Sequence, residues 1–133
     1  MGLWERRRDR ITALSGGEFQ LALIARALAQ GSRAVLLDEP TSHLDVNHAL
    51  TVMELLRELK GGEKIIITVL HDVNLALEYA DRLVVMKDGG EKFWEGKPGG
   101  EITPDVLERV YGIRAKIVEV DSHRVFIPEL AKV

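Results

Sequence analysis

The residues with the clearest chemical potential are two adjacent acids, Asp38 and Glu39, which follow directly after the wholly apolar run 34–37. Such a run is typical of a buried strand in a parallel sheet, so the acids are predicted at the strand's C-terminal edge, where open α/β sheets bind ligands. Neighbouring side chains of a strand point to opposite sides, so one carboxylate can hold a metal while the other reaches a water molecule. Two acids in an exposed loop would have the same spacing, and this run alone leaves both interpretations open.

A histidine and a glycine pair elsewhere in the chain also lie at the ends of predicted strands or helices. His71 follows the apolar run 65–70 and precedes Asp72, a residue type favoured at helix N-caps. The Ser-Gly-Gly segment 15–17 opens a predicted helix, where unobstructed backbone N–H groups at the positive end of the helix dipole suit a phosphate. Each signal is weak alone, because lone histidines are more often structural and Ser and Gly are common at helix N-termini. The remaining histidines are interpreted as surface residues: His43, His48 and His123.

Alternating apolar segments and helix caps predict the elements that position these residues. Ser15 and Glu18 have the spacing of a capping box, with Leu14 and Phe19 placed as a hydrophobic staple, so a helix is predicted over 16–30. Its predicted apolar face comprises Phe19, Leu23, Ala27 and Leu28. Further helices are predicted over 46–59, 72–80 and 103–112, and strands over 34–37, 65–70, 83–86 and 92–94, with a C-terminal hairpin turning at 121–123. Strand–helix–strand alternation predicts an α/β fold with a partly parallel sheet.

Composition narrows the classes of protein that fit. The 133 residues carry a formal net charge of −3, and the arginine-rich stretch 6–10 is interrupted by Asp9, so a general nucleic-acid binder is not expected. Cysteine is absent, which excludes disulfides, thiolate metal ligands and cysteine nucleophiles within this sequence. No apolar stretch approaches the roughly 20 residues of a membrane helix, and residues 1–6 lack the apolar segment of a secretory signal. Membrane association is therefore expected only through a partner.

Three segments in a fixed order carry a resemblance to a known family. They are Leu-Ser-Gly-Gly-Glu at 14–18, Leu-Leu-Asp-Glu-Pro-Thr-Ser-His-Leu-Asp at 36–45 and Thr-Val-Leu-His-Asp at 68–72. Together they resemble the nucleotide-binding domain of ABC ATPases. The resemblance implies an α/β fold, the C-terminal half of a P-loop NTPase (RecA-like) domain with part of its helical subdomain and a C-terminal β-hairpin. The implied regions are 1–31 (signature helix), 32–101 (Walker B to switch-histidine core) and 102–133 (C-terminal helix and hairpin).

The resemblance also implies a role for each motif residue. Asp38 matches the Walker B aspartate that holds Mg²⁺, and Glu39 matches the residue that polarises the attacking water. His71 matches the switch histidine that contacts the γ-phosphate of ATP and links it to Glu39. Asp45 matches the D-loop aspartate at the interface between two such domains. The signature residues, which in the family bind the ATP held by the opposite subunit, are Ser15, Gly16, Gly17 and Glu18.

The sequence departs from the family pattern in three ways. Glu18 stands where the family usually has glutamine, and Phe19 and Leu21 stand where arginines are common. The phosphate-binding sequence Gly-x-x-x-x-Gly-Lys-[Ser/Thr] is absent, and so are the Q-loop and the aromatic residue that stacks on adenine. In the family the missing strand lies between the strands at 65–70 and 83–86. The chain is therefore expected to self-associate or to require a complementary N-terminal chain, to bind ATP and Mg²⁺ weakly at most, and not to hydrolyse ATP alone.

Finer features resemble one group within the family. Glu18 in the signature, the segment 41–45 and the tail 103–112 resemble importers of iron–siderophore, haem or cobalamin type. That resemblance implies a second ATPase subunit and an integral membrane permease as partners. It also implies a location at the cytoplasmic, inner face of the cell membrane.

Two other interpretations remain open at this stage. The chain could be a non-catalytic remnant or a regulatory module that lends its signature helix and dimer surface to another subunit. A soluble ABC ATPase serving DNA repair or cofactor assembly fits less well, because the tail is importer-like and coiled-coil heptads are absent. Turnover of ATP by the chain, alone and with a polypeptide that carries the phosphate-binding loop, distinguishes an enzyme from a remnant.

Overall fold

The computed structural model describes residues 3–60 and 64–130, which form two compact units divided between His71 and Asp72. The first unit contains all of the predicted site residues. Among the described residues no helix combines the length and apolar character needed to span a bilayer. The three-part division at 1–31, 32–101 and 102–133 stays a prediction.

The first unit begins with two short 3₁₀ turns, Trp4–Arg6 and Ile11–Ala13, followed by helix α1, Gly16–Ala29. The predicted start of α1 is confirmed, but its predicted apolar face is wrong. The buried residues are Gly17, Leu21 and Ile24, whereas Phe19 is exposed. Apolar residues occupy five consecutive positions of this helix, 21–25, so periodicity could not decide which side faces the neighbouring helix.

Strand β1 (Ala34–Asp38), helix α2 (Val46–Lys60) and strand β2 (Ile65–Val69) complete the first unit. The two strands pair in parallel, with Ala34 opposite Ile65 and Asp38 opposite Val69. Helix α2 contacts both α1 and β2. Its buried residues recur at helical spacing along one side: Val52, Met53 and Leu56. The parallel pairing confirms the predicted α/β class.

The two faces of the β1–β2 pair differ sharply in exposure. On one face Val35 is buried, whereas the other face carries large apolar side chains that are mostly exposed. These side chains, called here the open sheet face, are Leu36 (73% exposed), Ile65 (60%), Ile67 (54%) and Val69 (52%). Within the described residues each strand has a single partner strand, so β2 pairs with β1 alone. Parallel sheets are normally covered on both faces, so this pair is incomplete as a sheet.

The second unit is built from two antiparallel strand pairs and two helices. Asp72 caps the first helix through hydrogen bonds from the backbone N–H groups of Asn74 and Leu75, and Pro104 and Gly112 bound the second, as predicted. The elements are helix α3 (Val73–Tyr79), strands β3 (Leu83–Met86) and β4 (Lys92–Gly96), helix α4 (Pro104–Tyr111), and strands β5 (Arg114–Val120) and β6 (His123–Glu129). The pairs are β3–β4 and β5–β6.

The core of the second unit joins its helices to the C-terminal hairpin. Four buried residues form this core: Leu77, Ile102, Leu107 and Ala115. The side chain of Asn74 acts as a strand partner for Phe126, because its Oδ1 accepts from the Phe126 N–H (2.7 Å) and its Nδ2 donates to the Phe126 carbonyl (3.3 Å). The hairpin turns at Asp121 and Ser122, which both have positive φ, as tight two-residue hairpins require.

Candidate nucleotide-hydrolysis site

Glu39 and His71 meet at the C-terminal ends of the two parallel strands. Glu39 directly follows β1, and His71 lies two residues beyond the end of β2. The register places Asp38 beside Val69, so both strands end at the same edge. Nε2 of His71 lies 2.7 Å from Oε1 of Glu39, within hydrogen-bond distance. The side chain of His71 is 78% exposed and that of Glu39 is 41% exposed, so both can reach a ligand in solvent.

The backbone at Glu39 is held in an uncommon conformation. Its φ is +46°, in the left-handed region, which costs a non-glycine residue on the order of 1–3 kcal/mol. Three hydrogen bonds hold it: Glu39 N–H donates to the Val69 carbonyl (3.2 Å), and the Glu39 carbonyl accepts from Ser42 N–H (3.1 Å) and Ser42 Oγ (2.9 Å). Pro40, which follows, is buried. The turn therefore fixes the direction in which the Glu39 side chain leaves the strand.

Asp38 is the last residue of β1 and is exposed. Within the described part of the chain, no three His, Cys, Asp or Glu side chains converge closely enough to hold a metal by themselves. A single carboxylate nevertheless fits Mg²⁺, which keeps several waters and is bound through one or two carboxylates plus substrate phosphates. Asp38 thus has the donor chemistry for a magnesium ion shared with a nucleotide.

The N-terminus of α1 forms the predicted capping box. The Ser15 N–H donates to Oε2 of Glu18 (2.8 Å), and the Glu18 N–H donates to Oγ of Ser15 (3.3 Å). The hydrogen bond from the Ser15 backbone, and after it one from the Ser15 side chain, lower the pKa of the Glu18 carboxyl. The Ser15 hydroxyl thus accepts from the Glu18 N–H and also interacts with the Glu18 carboxyl. A Cβ atom at Gly16 would meet no other atom within 4 Å, so the backbone there is open to a ligand.

His48 links two of the predicted motifs; it is a surface residue as predicted, with its side chain 40% exposed, but these contacts were not predicted. Its Nδ1 lies 2.9 Å from each carboxylate oxygen of Asp45, and its N–H donates to Oδ1 of Asp45 at 2.8 Å. These hydrogen bonds, the backbone one first, lower the pKa of Asp45. The opposite side of the ring lies against the backbone of Gly17. The spacing of three residues after a helix-capping aspartate was the sequence signal that could have indicated this role.

The predicted site residues thus fall into two clusters. Asp38, Glu39 and His71 share the C-terminal edge of the parallel strands. The signature residues Ser15–Glu18 and Asp45 form the second cluster, in which His48 is the bridge. The first cluster has the groups for orienting water and holding a metal, and the second has donors for an anion.

Comparison with known proteins places these clusters in a family. Residues 1–42 match the family described as ABC transporter. The chain is 43% identical over 108 residues to the cobalamin import ATP-binding protein BtuD of Halobacterium salinarum, an alignment covering 80% of this chain. It is 41% identical over 120 residues, 90% of this chain, to the petrobactin import ATP-binding protein FpuC of Bacillus anthracis. The chain belongs to the ABC transporter ATP-binding family.

Solved structures agree with this assignment. A transporter assigned to the metal-chelate type of ABC transporter, in an inward-facing conformation, matches with a TM-score of 0.79 and 28% identity over 91% of this chain and 50% of that one. The ATP-binding cassette MJ0796, in a dimeric post-hydrolysis state bound to ADP and Pi, matches with a TM-score of 0.59 and 39% identity over 67% of this chain and 38% of that one. The predicted family and fold class are confirmed.

The match covers only part of these relatives. The chain spans 27% of the cobalamin import protein and 44% of the petrobactin import protein. It is also 39% identical to the hemin import ATP-binding protein HmuV of Rhodopseudomonas palustris over 96% of this chain and 51% of that protein. The chain thus spans about half or less of the length of these relatives.

Proposed function

We propose that this chain is the part of an importer's ATP-hydrolysing subunit that runs from the signature motif towards the C-terminus. It would supply the signature motif, Walker B acids, D-loop and switch histidine, while another polypeptide segment supplies the phosphate-binding loop. The proposal rests chiefly on the 2.7 Å contact between Nε2 of His71 and Oε1 of Glu39. A carboxylate oriented by a histidine at the ligand-binding edge of a parallel pair is suited to phosphoryl transfer, which depends on positioning and charge stabilisation.

In this proposal the first cluster acts on the attacking water. The Glu39 carboxylate accepts a hydrogen bond from the water and orients it in line with the γ-phosphate. His71 holds that carboxylate through Nε2 and is exposed enough to contact the γ-phosphate as well. A Mg²⁺ ion bound through Asp38 would neutralise charge on the phosphate oxygens. The hydrogen-bonded turn at Glu39 keeps the carboxylate directed at the same point throughout.

The second cluster binds the ATP held by an opposing subunit. The Ser15 hydroxyl and the open backbone at Gly16 lie at the positive end of α1, which favours a phosphate. Glu18 is already engaged in the capping box, so its carboxylate is held back towards Ser15. Asp45 at the start of α2 would face the same dimer interface.

A complementary chain is the partner that the exposed surface of the first unit favours. The open sheet face carries four large apolar side chains, each more than half exposed. Burial of such side chains contributes about 1.5–3 kcal/mol each when it is complete. An adjoining segment of the domain that carries the phosphate-binding loop would cover this face and pair with the edge of β2 that no described strand occupies. In its absence the same surface favours self-association.

The transport role is proposed from the relatives. Their printed names describe import ATP-binding proteins for cobalamin, hemin and petrobactin. We therefore propose an iron chelate, haem or cobalamin as the transported solute, an integral membrane permease as a partner, and a location at the inner face of the cell membrane. The solute itself would be recognised by the permease and not by the residues described here.

Complementation tests the proposal. ATP hydrolysis is measured for this chain alone, and for this chain mixed with a separately expressed polypeptide that carries a phosphate-binding loop from the N-terminal half of a petrobactin-type ATPase. We expect no turnover by the chain alone and turnover in the mixture. Loss of general-base catalysis lowers rates by about 10²–10⁴-fold, so Glu39→Gln should reduce turnover of the mixture by that factor.

Two results would count against the proposal. Hydrolysis by this chain alone as a monomer would show that no second segment is needed. A stable complex between the two polypeptides that never hydrolyses ATP would favour the non-catalytic module instead. A Leu130→Ala variant, altered at a position that is 90% exposed in the second unit, serves as the matched control in both assays.

A further inference from the structure

The ring of His48 occupies the space in which a side chain at position 17 would lie. A Cβ atom built on Gly17 would be 2.1 Å from Cδ2, 2.6 Å from Cγ and 2.8 Å from Nε2 of His48. Real Cβ atoms do not approach other atoms this closely, so glycine at position 17 allows the ring to lie directly on the backbone of α1. Gly17 is buried although it stands in the first turn of an otherwise exposed helix end.

The other edge of the same ring faces a carboxylate. Nδ1 lies 2.9 Å from both Oδ1 and Oδ2 of Asp45, so the ring donates there in the tautomer that carries its proton on Nδ1. Asp45 also accepts the backbone N–H of His48 at 2.8 Å, which caps the start of α2. One side chain therefore contacts the signature helix with its Cδ2–Nε2 edge and the D-loop aspartate with its Nδ1 atom.

Capping of α2 does not explain this arrangement. The cap requires only the backbone N–H of residue 48, which any residue except proline supplies. The ring adds a second hydrogen bond to Asp45 and a contact with Gly17 that capping does not use. Two carboxylates are the charged groups beside the ring: that of Asp45, which is hydrogen-bonded to it, and that of Glu18, which interacts with it through space.

We infer that His48 is a positioning residue, whose ring holds the carboxylate of Asp45 in a fixed place relative to Gly17 of the signature helix. A displacement of either motif is then transmitted to the other. The relevance of this link to ATP hydrolysis rests on the function proposed above, because only there do both motifs face a nucleotide. The link itself is a property of the first unit and is testable without nucleotide.

Nuclear magnetic resonance of the full chain tests the link from the Gly17 end. The readouts are the pH titration of the Asp45 carboxyl carbon and the backbone amide resonance of residue 17. In Gly17→Ala the new methyl group should displace the ring, remove its hydrogen bond and raise the pKa of Asp45. In a His48→Ala background, Gly17→Ala should leave the Asp45 titration unchanged. Thr51→Ala, one turn further along α2, is the matched control and should alter neither readout.

Two substitutions at position 48 test the link from the other end, in case Gly17→Ala does not fold. His48→Phe keeps a ring beside Gly17 but cannot donate to Asp45, so the pKa of Asp45 should rise while the residue 17 amide changes little. His48→Asn keeps a donor for Asp45 but lacks the ring, so it should shift the amide and leave the Asp45 titration close to that of the unmodified chain. His48→Ala should change both readouts.

The outcome separates this inference from the proposed function. The inference is overturned if Asp45 responds to Gly17→Ala equally with and without His48, or if His48→Phe and His48→Asn give the same pattern. Neither result depends on ATP. If the NMR pattern is as expected and the mixture of chains fails to hydrolyse ATP, the link stands and the proposed function fails.

Discussion

Nε2 of His71 and Oε1 of Glu39 lie 2.7 Å apart although 32 residues separate them in sequence. The parallel pairing of β1 with β2 produces this contact, because each residue lies just beyond the end of its strand. Neither side chain is buried, so the pair is held by strand geometry and not by a surrounding core. A contact of this kind is open to a ligand and stays aligned without one.

Loss of the histidine should impair catalysis more than binding. We expect His71→Ala to lower kcat of the complemented ATPase by about 10²-fold or more, because Glu39 loses the group that orients it. KM for ATP should change much less, since the role proposed for His71 is to orient Glu39 and to contact a single phosphate group. Steady-state kinetics of the mixture of chains measures both parameters.

His123→Ala is the control for that experiment. His123 is also an exposed histidine bonded to a glutamate, with 2.7 Å between Nδ1 and Oε2 of Glu78, but it lies in the second unit. It should leave kcat unchanged. Equal losses of kcat in both histidine variants would contradict the role assigned to His71.

Local signals in the sequence predicted most of the elements. The capping box of Ser15 and Glu18, the cap at Asp72 and the Pro104–Gly112 boundaries are each set by residues within one turn of the helix end, so the structure forms them where they were expected. Strand β2 was equally clear, because a run of three isoleucines has few other stable conformations.

Features that depend on tertiary packing were not predictable in the same way. The buried side of α1 is decided by its contact with α2, and its apolar run at 21–25 gives no preference for Leu21 over Leu23. The contact of His48 with Gly17 joins residues of two different helices, and nothing near either residue indicates it. The link between Glu39 and His71 was implied only by the family resemblance, because neither strand end by itself indicates which strand it pairs with.

The capping box should contribute measurably to stability. Ser15→Ala removes the acceptor of the Glu18 N–H, and we expect the free energy of unfolding to fall by about 1 kcal/mol. Urea titration followed by far-ultraviolet circular dichroism measures the change. Ser15→Thr keeps the hydroxyl and is the matched control, so a threonine variant as unstable as the alanine variant would show that the hydrogen bond is not responsible.

The stability of the second unit should depend on pH through His123. The hydrogen bond to the Glu78 carboxylate raises the pKa of His123 above its ordinary value. A raised folded-state pKa contributes stability that is fully present below the unfolded-state pKa, about 6.5, and is lost as pH rises through the folded-state pKa. The urea midpoint should therefore fall as pH rises above about 6.5, by an amount set by this pair.

Substitution of His123 or of Glu78 tests whether this pair causes the fall of the urea midpoint with pH. His123→Gln cannot be protonated in this range, so its urea midpoint should vary less with pH than that of the unmodified chain. Glu78→Gln should have the same effect, because it removes the carboxylate that raises the pKa. An unchanged pH dependence in both variants would assign the effect to other groups.

The open sheet face should control association of the chain. Ile67 lies at its centre, opposite Leu36 in the parallel register, and both side chains are more than half exposed. We expect Ile67→Lys to shift the chain towards monomer in sedimentation velocity and to weaken its complex with the complementary polypeptide, because a charge cannot be buried against an apolar partner without a large cost. Val120→Lys, at a similarly exposed apolar position of β5, is the matched control and should change neither. If both lysine variants associate as the unmodified chain does, the surface that recruits other chains lies elsewhere than on β1 and β2.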